Sequence, residues 1–220
     1  MSRRSNGELR CARCRLHRSL CACELIPRIT TRTRLVLFMH RFEDNKSTNT
    51  GRLASECLGN SEVILRGVQG GPAEAFEAQP GTRPVFLFPR EGAIPIREFA
   101  GSAEPVTLIV PDGTWRQASK VQNRVPGLSG IPCVSLPPGE RSSYRLRFEA
   151  HAEGLSTLEA IARAMGVLEG LHVQHALERV FRIVVERALW SRGAIPTSEV
   201  AGGIPAGVQR HDPRSGAGDE

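Results

Sequence analysis

No stretch of this 220-residue chain comes near the roughly 20 consecutive apolar residues that span a bilayer, and the first residues carry no apolar core of a secretory signal. The sequence-based expectation is therefore a cytoplasmic chain with no membrane partner, and nothing in it points to a protein partner. Walker loops, GxGxxG turns and HExxH helices are also absent, which leaves nucleotide hydrolysis, dinucleotide redox and zincin chemistry without support. There is no internal repeat and no heptad register. With 15 Pro and 22 Gly, the chain shows no excess that would suggest a fibre.

What is present is globular: 40% hydrophobic and 24% charged residues, at a length that fits one domain. The net charge of +6 is unevenly placed. Residues 1 to 34 contain nine arginines against Glu8 and Glu24, which leaves the rest of the chain close to neutral. Arginines concentrated in this way suit a phosphate backbone, because each one that neutralises a phosphate releases a condensed counterion. A solvated basic arm with no partner is the plainer alternative.

Arg34 to Met39, Glu62 to Arg66, Pro84 to Phe88, Pro105 to Val110 and Ile131 to Leu136 read as short strands. Val106 to Val110 is almost continuously apolar, as in a strand covered on both faces of a mostly parallel sheet. Asn49 to Leu58 has helical spacing. Two closing helices carry the stripes Leu155, Leu158, Ile161, Ala162, Met165, Leu168 and Val173, Leu177, Val180, Phe181, Val184, Ala188. The fold class is thus α/β, with a small N-terminal cysteine segment. Three parts are expected: a basic head over residues 1–30, a catalytic domain over 31–192, and a tail over 193–220 too poor in apolar residues to order itself.

Cys11-x-x-Cys14 and Cys21-x-Cys23 place four thiols within thirteen residues of a chain expected in a reducing compartment. Two close thiolate pairs match tetrahedral Zn²⁺, and four protein ligands leave no open position, so a structural zinc is expected. It would fold the head and fix Arg10, Arg13, Arg15 and Arg18 for RNA. Cys57 and Cys133 stand alone in apolar surroundings and read as packing residues.

Other chemistry-bearing residues gather where strands end. Asp112 follows a buried strand, at the edge where open parallel sheets collect ligands, although a helix-capping Asp explains the same position. Trp115 is either a core aromatic or a stacking surface. Ser156-x-x-Glu159 is a capping box, and exposed N–H groups at such a helix start also suit a carboxylate ligand. Met39 to Glu43 leads through a polar loop into Ser47 to Arg52, whose small residues allow close approach to backbone. Arg141 to Arg147 interleaves cations with Tyr144, a pattern suited to RNA.

In this order, CxxC…CxC, STNTGRL, LFPREGA, DGTW, SYRLR and LSTLEA resemble the DTW-domain family, specifically its bacterial tRNA-uridine aminocarboxypropyltransferases, over residues 8 to about 190. Here the family triplet is interrupted by Gly113. The resemblance implies a SPOUT-like fold with a C-terminal knot, a rare exception to unknotted chains. It also implies transfer of the 3-amino-3-carboxypropyl group from S-adenosylmethionine to N3 of a tRNA uridine, with release of methylthioadenosine. Asp112 would be the base for the N3 proton, or would orient the uridine. Leu87, Phe88, Pro89, Gly113, Leu136 and Leu146 would hold the donor's nucleoside, and Ser156 and Thr157 its methionine end. Thr50, Gly51, Arg52, Trp115, Tyr144 and Arg145 would shape the substrate pocket. Two rival classes stay open: a methyltransferase, or an aminocarboxypropyltransferase for ribosomal RNA; and a non-catalytic zinc protein that binds RNA.

Overall fold

The computed structural model describes residues 9–44, 46–67, 75–146 and 154–210. In chain order its elements are β1 (Arg34–His40), α1 (Arg41–Asp44), α2 (Gly51–Cys57), β2 (Ser61–Arg66), β3 (Arg83–Leu87), β4 (Ile94–Pro95), β5 (Val106–Asp112), α3 (Trp115–Ala118), α4 (Val121–Arg124), β6 (Cys133–Ser135), α5 (Thr157–Leu168) and α6 (Leu171–Ser191). The six strands form one sheet in the order β2-β1-β5-β3-β6-β4, and every pairing is parallel. The expected strands are all there. Only β4 was unexpected, a two-residue edge strand containing Pro95, and an edge is where a strand tolerates proline's missing N–H.

All seven residues of β5 are buried, because helices and loops cover both faces of the sheet. Alternation then sorts the side chains. Leu35, Leu37, Met39, Leu108 and Val110 face the core shared with α2, α5 and α6, whereas Val36, Phe38, Phe86 and Ile109 pack against Phe76, Val121, Val125 and Leu128. The second layer closes over a tight turn at Gly127. Its φ is +87°, and a Cβ there would lie 2.1 Å from the Phe76 carbonyl oxygen. Gly127→Ala is therefore expected to destabilise the fold by about 3 kcal/mol, from a strained φ and a backbone clash together. Urea denaturation checks this as a lower midpoint at unchanged slope.

The buried stripe of α6 shifts toward its C-terminal end, where Ile183, Val185, Arg187 and Leu189 are buried while Val184 and Ala188 of the expected face are half-buried. Two segments account for it. The cysteine head packs Cys14, Leu16, Leu20 and Ala22 into the same core, and residues beyond α6 add Ile195 and Val200. Residues 193–210 thus depart from the disorder expected of the tail, while 211–220 lie outside the described residues. Composition alone missed what fastens this segment. Trp190 Nε1 donates to Thr197 Oγ1 at 2.9 Å, and the Ala201 N–H donates to Glu186 Oε2 at 2.6 Å. Buried Arg187 donates to the carbonyls of Gly203 at 3.0 Å and Gly202 at 3.3 Å, and on its other side to Cys21 at 2.7 Å and Leu20 at 3.2 Å. A few polar anchors substitute for the apolar area the segment lacks. Among the described residues, no helix is long and apolar enough to cross a membrane.

Candidate active site

The register Met39↔Asp112 brings the carboxyl ends of β1 and β5 side by side. Asp112 is the last residue of β5 and is only 6% exposed. Its two carboxylate oxygens are held from different directions: Asn49 Nδ2 donates to Oδ2 at 2.5 Å, and Thr157 Oγ1 donates to Oδ1 at 2.5 Å. Gly51, the first residue of α2, makes this approach possible, since a Cβ there would sit 3.0 Å from both Asp112 Oδ2 and Leu37 Cδ2. Thr50 ties the same loop to α5, its Oγ1 accepting the Leu158 N–H at 3.3 Å. Three motifs distant in sequence thus converge on one carboxylate.

Helix capping does not explain Asp112. Thr114 caps α3 in a capping box with Gln117, so the aspartate's hydrogen bonds point elsewhere. The capping box at Ser156, by contrast, is formed: its hydroxyl accepts the Glu159 N–H, and the Glu159 side chain reaches back to the Ser156 N–H at 2.9 Å. Glu159 does more than cap. Its buried carboxylate also accepts from Ser142 Oγ at 2.6 Å, the Ser143 N–H at 2.7 Å and Ser143 Oγ at 3.1 Å. It therefore pins the segment before Tyr144 to the start of α5. Glu159→Gln puts an amide N–H₂ among these donors and is expected to cost about 2 kcal/mol. It should also open Arg141 and Arg145 to trypsin, which limited digestion would show.

The remaining candidates fall into separate groups. Leu87 lies in the main core, and Leu136, Tyr144 and Leu146 pack against that same cluster. Tyr144 is not an open stacking face, since its ring lies 5.7 Å from that of Phe181 and its hydroxyl donates to the Thr48 carbonyl at 2.7 Å. Phe88 and Trp115 meet edge to face with centroids 5.6 Å apart, and Trp115 is 37% exposed, which fits a surface aromatic rather than a core one. Pro89 and Arg145 are exposed, and Arg147 lies outside the described residues. A Cβ on Gly113 would come within 3.0 Å of Gln117 Oε1. Arg52 does not reach Asp112; its guanidinium is bound to Asp44, with Nε at 2.8 Å. Asn49 and Glu159 are the site residues that sequence reasoning passed over. Both stood inside recognised motifs, but their partners lie 63 and 16 or more residues away.

In the head, the sulfurs of Cys11, Cys14, Cys21 and Cys23 all lie within 4.8 Å of one another, with Cys11 to Cys23 at 3.3 Å and Cys14 to Cys21 at 3.8 Å. Tetrahedral thiolate ligands about 2.3 Å from a metal sit roughly 3.8 Å apart, so the cluster has the dimensions to hold a metal ion. Arg15, at φ +61°, closes the first turn by donating its N–H to the Cys11 carbonyl at 3.0 Å. Burial pushes the Cys14 thiol up to about 11 and raises Cys23 as well. At Cys11 burial also opposes ionisation, but the Cys14 and Arg13 N–H groups and the neighbouring thiols outweigh it and draw the group down to about 6. The head's arginines are not all turned outward. Arg13 pairs with Glu56 at 2.8 Å and Arg15 with Asp44 at 3.5 Å. Cys57 and Cys133 are buried packing residues as expected, and burial raises the Cys57 thiol to about 12.

These motifs, their order and their convergence define a known class: the chain belongs to the DTW domain family, whose profile matches residues 8–189. Among curated proteins it is similar to tRNA-uridine aminocarboxypropyltransferase 2 of Drosophila melanogaster, 26% identical over 171 residues that cover 74% of this chain and 68% of that protein. The Macaca fascicularis protein of the same name is 29% identical over 181 residues, covering 77% of this chain and 60% of its own length. The Mus musculus protein is 27% identical over 168 residues, covering 72% and 56%. These relatives are animal proteins, whereas the sequence resembled the bacterial members. The chain spans somewhat over half to about two thirds of their lengths. No solved structure matches it.

Proposed function

We propose that this protein transfers the 3-amino-3-carboxypropyl group of S-adenosylmethionine to N3 of a uridine in tRNA. The observation that carries the reading is Asp112: a buried carboxylate held on both oxygens at the ligand-gathering edge of the sheet, in a family whose named relatives catalyse this class of transfer. In the reaction the uridine N3–H bond and the bond from sulfur to the methionine γ-carbon break. An N3–C bond forms, and the sulfur keeps its electron pair as methylthioadenosine. The donor supplies the leaving group, so the protein needs to align the reactants and take one proton. The Asn49 and Thr157 bonds fix the orientation of the Asp112 carboxylate, one oxygen of which accepts the N3 proton in this reading.

In this reading Leu87, Phe88, Pro89, Gly113, Leu136 and Leu146 wall the donor's nucleoside, and Ser156 and Thr157 meet its methionine end. Thr157 would then bind donor and base together. Thr50, Gly51, Trp115, Tyr144 and Arg145 border the uridine, and Arg52 braces that wall through Asp44. Residues 1–30 serve as the RNA-facing head and 31–192 as the catalytic body, in a cytoplasmic protein. The head's ion is zinc in a structural role, because four thiolates fill its tetrahedral shell. The fold in this reading is SPOUT-like with a C-terminal knot, with which the all-parallel sheet is compatible.

Incubating the metal-loaded chain with unmodified tRNA and S-adenosylmethionine tests the reading by mass spectrometry. Methylthioadenosine together with the aminocarboxypropyl nucleoside in tRNA is the expected result. S-adenosylhomocysteine would make the protein a methyltransferase instead, and tight tRNA binding without either product would make it a binding protein.

A further inference from the structure

An unbroken line of polar contacts runs from the cysteine head to the Asp112 carboxylate. Arg15 takes its place from the turn that the cysteines make, its N–H donating to the Cys11 carbonyl at 3.0 Å. Its guanidinium then reaches Asp44 of α1, with Nη2 3.5 Å from Oδ1. The same Oδ1 accepts from Arg52 of α2, through Nε at 2.8 Å and through Nη2 as well. Arg52 in turn donates its backbone N–H to Asn49 Oδ1 at 2.9 Å, and Asn49 Nδ2 donates to Asp112 Oδ2 at 2.5 Å. The head holds the far end of α2 too, where Arg13 pairs with Glu56 at 2.8 Å.

Asp44 is the junction of this line. Its side chain is 19% exposed and those of Arg15 and Arg52 are 28% and 23% exposed, so the three charges meet where solvent screens them less than on an open surface. Without that carboxylate, two guanidinium groups would face each other and push the first turn of α2 away from the head. The Asn49 amide spans the next gap, its oxygen on Arg52 and its nitrogen on Asp112, so a shift of that turn swings the donor off the carboxylate. Misplacement of a reacting group by about 1 Å is enough to cost turnover. We propose that Asp44 is a positioning residue for the transfer reaction, through which Arg15 of the head and Arg52 of α2 set the Asn49 amide against Asp112. The proposal rests on the reading of Asp112 as the group that takes the N3 proton. It gives the cysteine head a part in turnover, separate from any contact it makes with RNA.

Hydrogen exchange and steady-state kinetics on the full, metal-loaded chain test it together. Asp44→Asn is expected to speed amide exchange across residues 47–52 about tenfold while leaving β5 protected as in the wild type. It should lower kcat about tenfold at an unchanged KM for tRNA. Arg15→Gln should lower kcat about threefold, whereas Arg15→Lys, which keeps the pair, should match the wild type. The Arg15 pair of variants carries the test if Asp44→Asn folds poorly. Because Asp44 acts through Asn49, Asp44→Asn combined with Asn49→Ala should lose less than the product of the single losses. Wild-type exchange over residues 47–52 in both Asp44→Asn and Arg15→Gln overturns the proposal, as do strictly multiplicative losses in the double variant. So does a raised KM for tRNA at unchanged kcat, which would turn these side chains toward RNA. If the wild type releases methylthioadenosine and the variants exchange and turn over as it does, the positioning role falls and the proposed reaction stands. If exchange quickens as expected but no methylthioadenosine forms even in the wild type, the reaction falls and the brace between head and α2 stands.

Discussion

Asp112→Asn should lower the rate of methylthioadenosine release by about 10² to 10⁴, the usual contribution of a positioned base, while tRNA and donor affinities stay within a fewfold of the wild-type values. The substitution preserves shape and leaves the strand end in place, but it removes the negative charge and one acceptor site. Its effect should therefore appear in kcat with little change in KM, the mark of an interaction made mainly in the transition state. Asn49→Ala and Thr157→Val act through Asp112, and each should cost about tenfold by loosening the carboxylate. Single-turnover assays on all three variants would separate these roles. Turnover in Asp112→Asn within about threefold of wild type would show that the carboxylate does not take the N3 proton.

Loss of the zinc proposed for the four thiolates is expected to have the largest effect on stability. Structural zinc in small thiolate sites contributes about 10 to 16 kcal/mol of apparent folding energy, which is comparable to the entire stability of a domain. Here the consequence extends beyond the head, because Leu16, Leu20 and Ala22 lie in the main core. Chelation, or Cys14→Ser, should free that cluster from α6 and uncover the buried face of Val185 and Leu189. Calorimetric melting in the presence of a chelator should then show a fall in Tm of more than ten degrees, with tRNA binding lost alongside. A melt unaffected by complete metal removal, with the released metal measured directly, would show that the four thiols fold the head unaided.

The parts of this fold that local pattern controls were legible in the sequence. Val106 to Val110 announced a strand covered on both faces, and the stripes of α5 and α6 gave their packing sides, because burial repeats with the period of the element. The four cysteines were legible because metal geometry fixes both ligand type and spacing. What stayed hidden depended on partners far along the chain. Ser156-x-x-Glu159 revealed a cap but not the grip on Ser142 and Ser143, and Asn49 sat unmarked in a quoted motif because its partner lies 63 residues away. Arg52 suggested a clamp for substrate, whereas a neighbouring acid, Asp44, holds it. Segment 193–210 failed the compositional test for order because that test counts apolar area and cannot see one buried guanidinium with four carbonyls around it.

That guanidinium also sets a schedule for the ribosome. Arg187 fastens Leu20 and Cys21 on one side and Gly202 and Gly203 on the other, so an early segment shares its anchor with one made much later. At about 5 to 20 residues per second, the head waits roughly ten to forty seconds for α6 and the segment after it. During that interval the head lacks its anchor on α6, and early capture of a metal is what would keep it ordered.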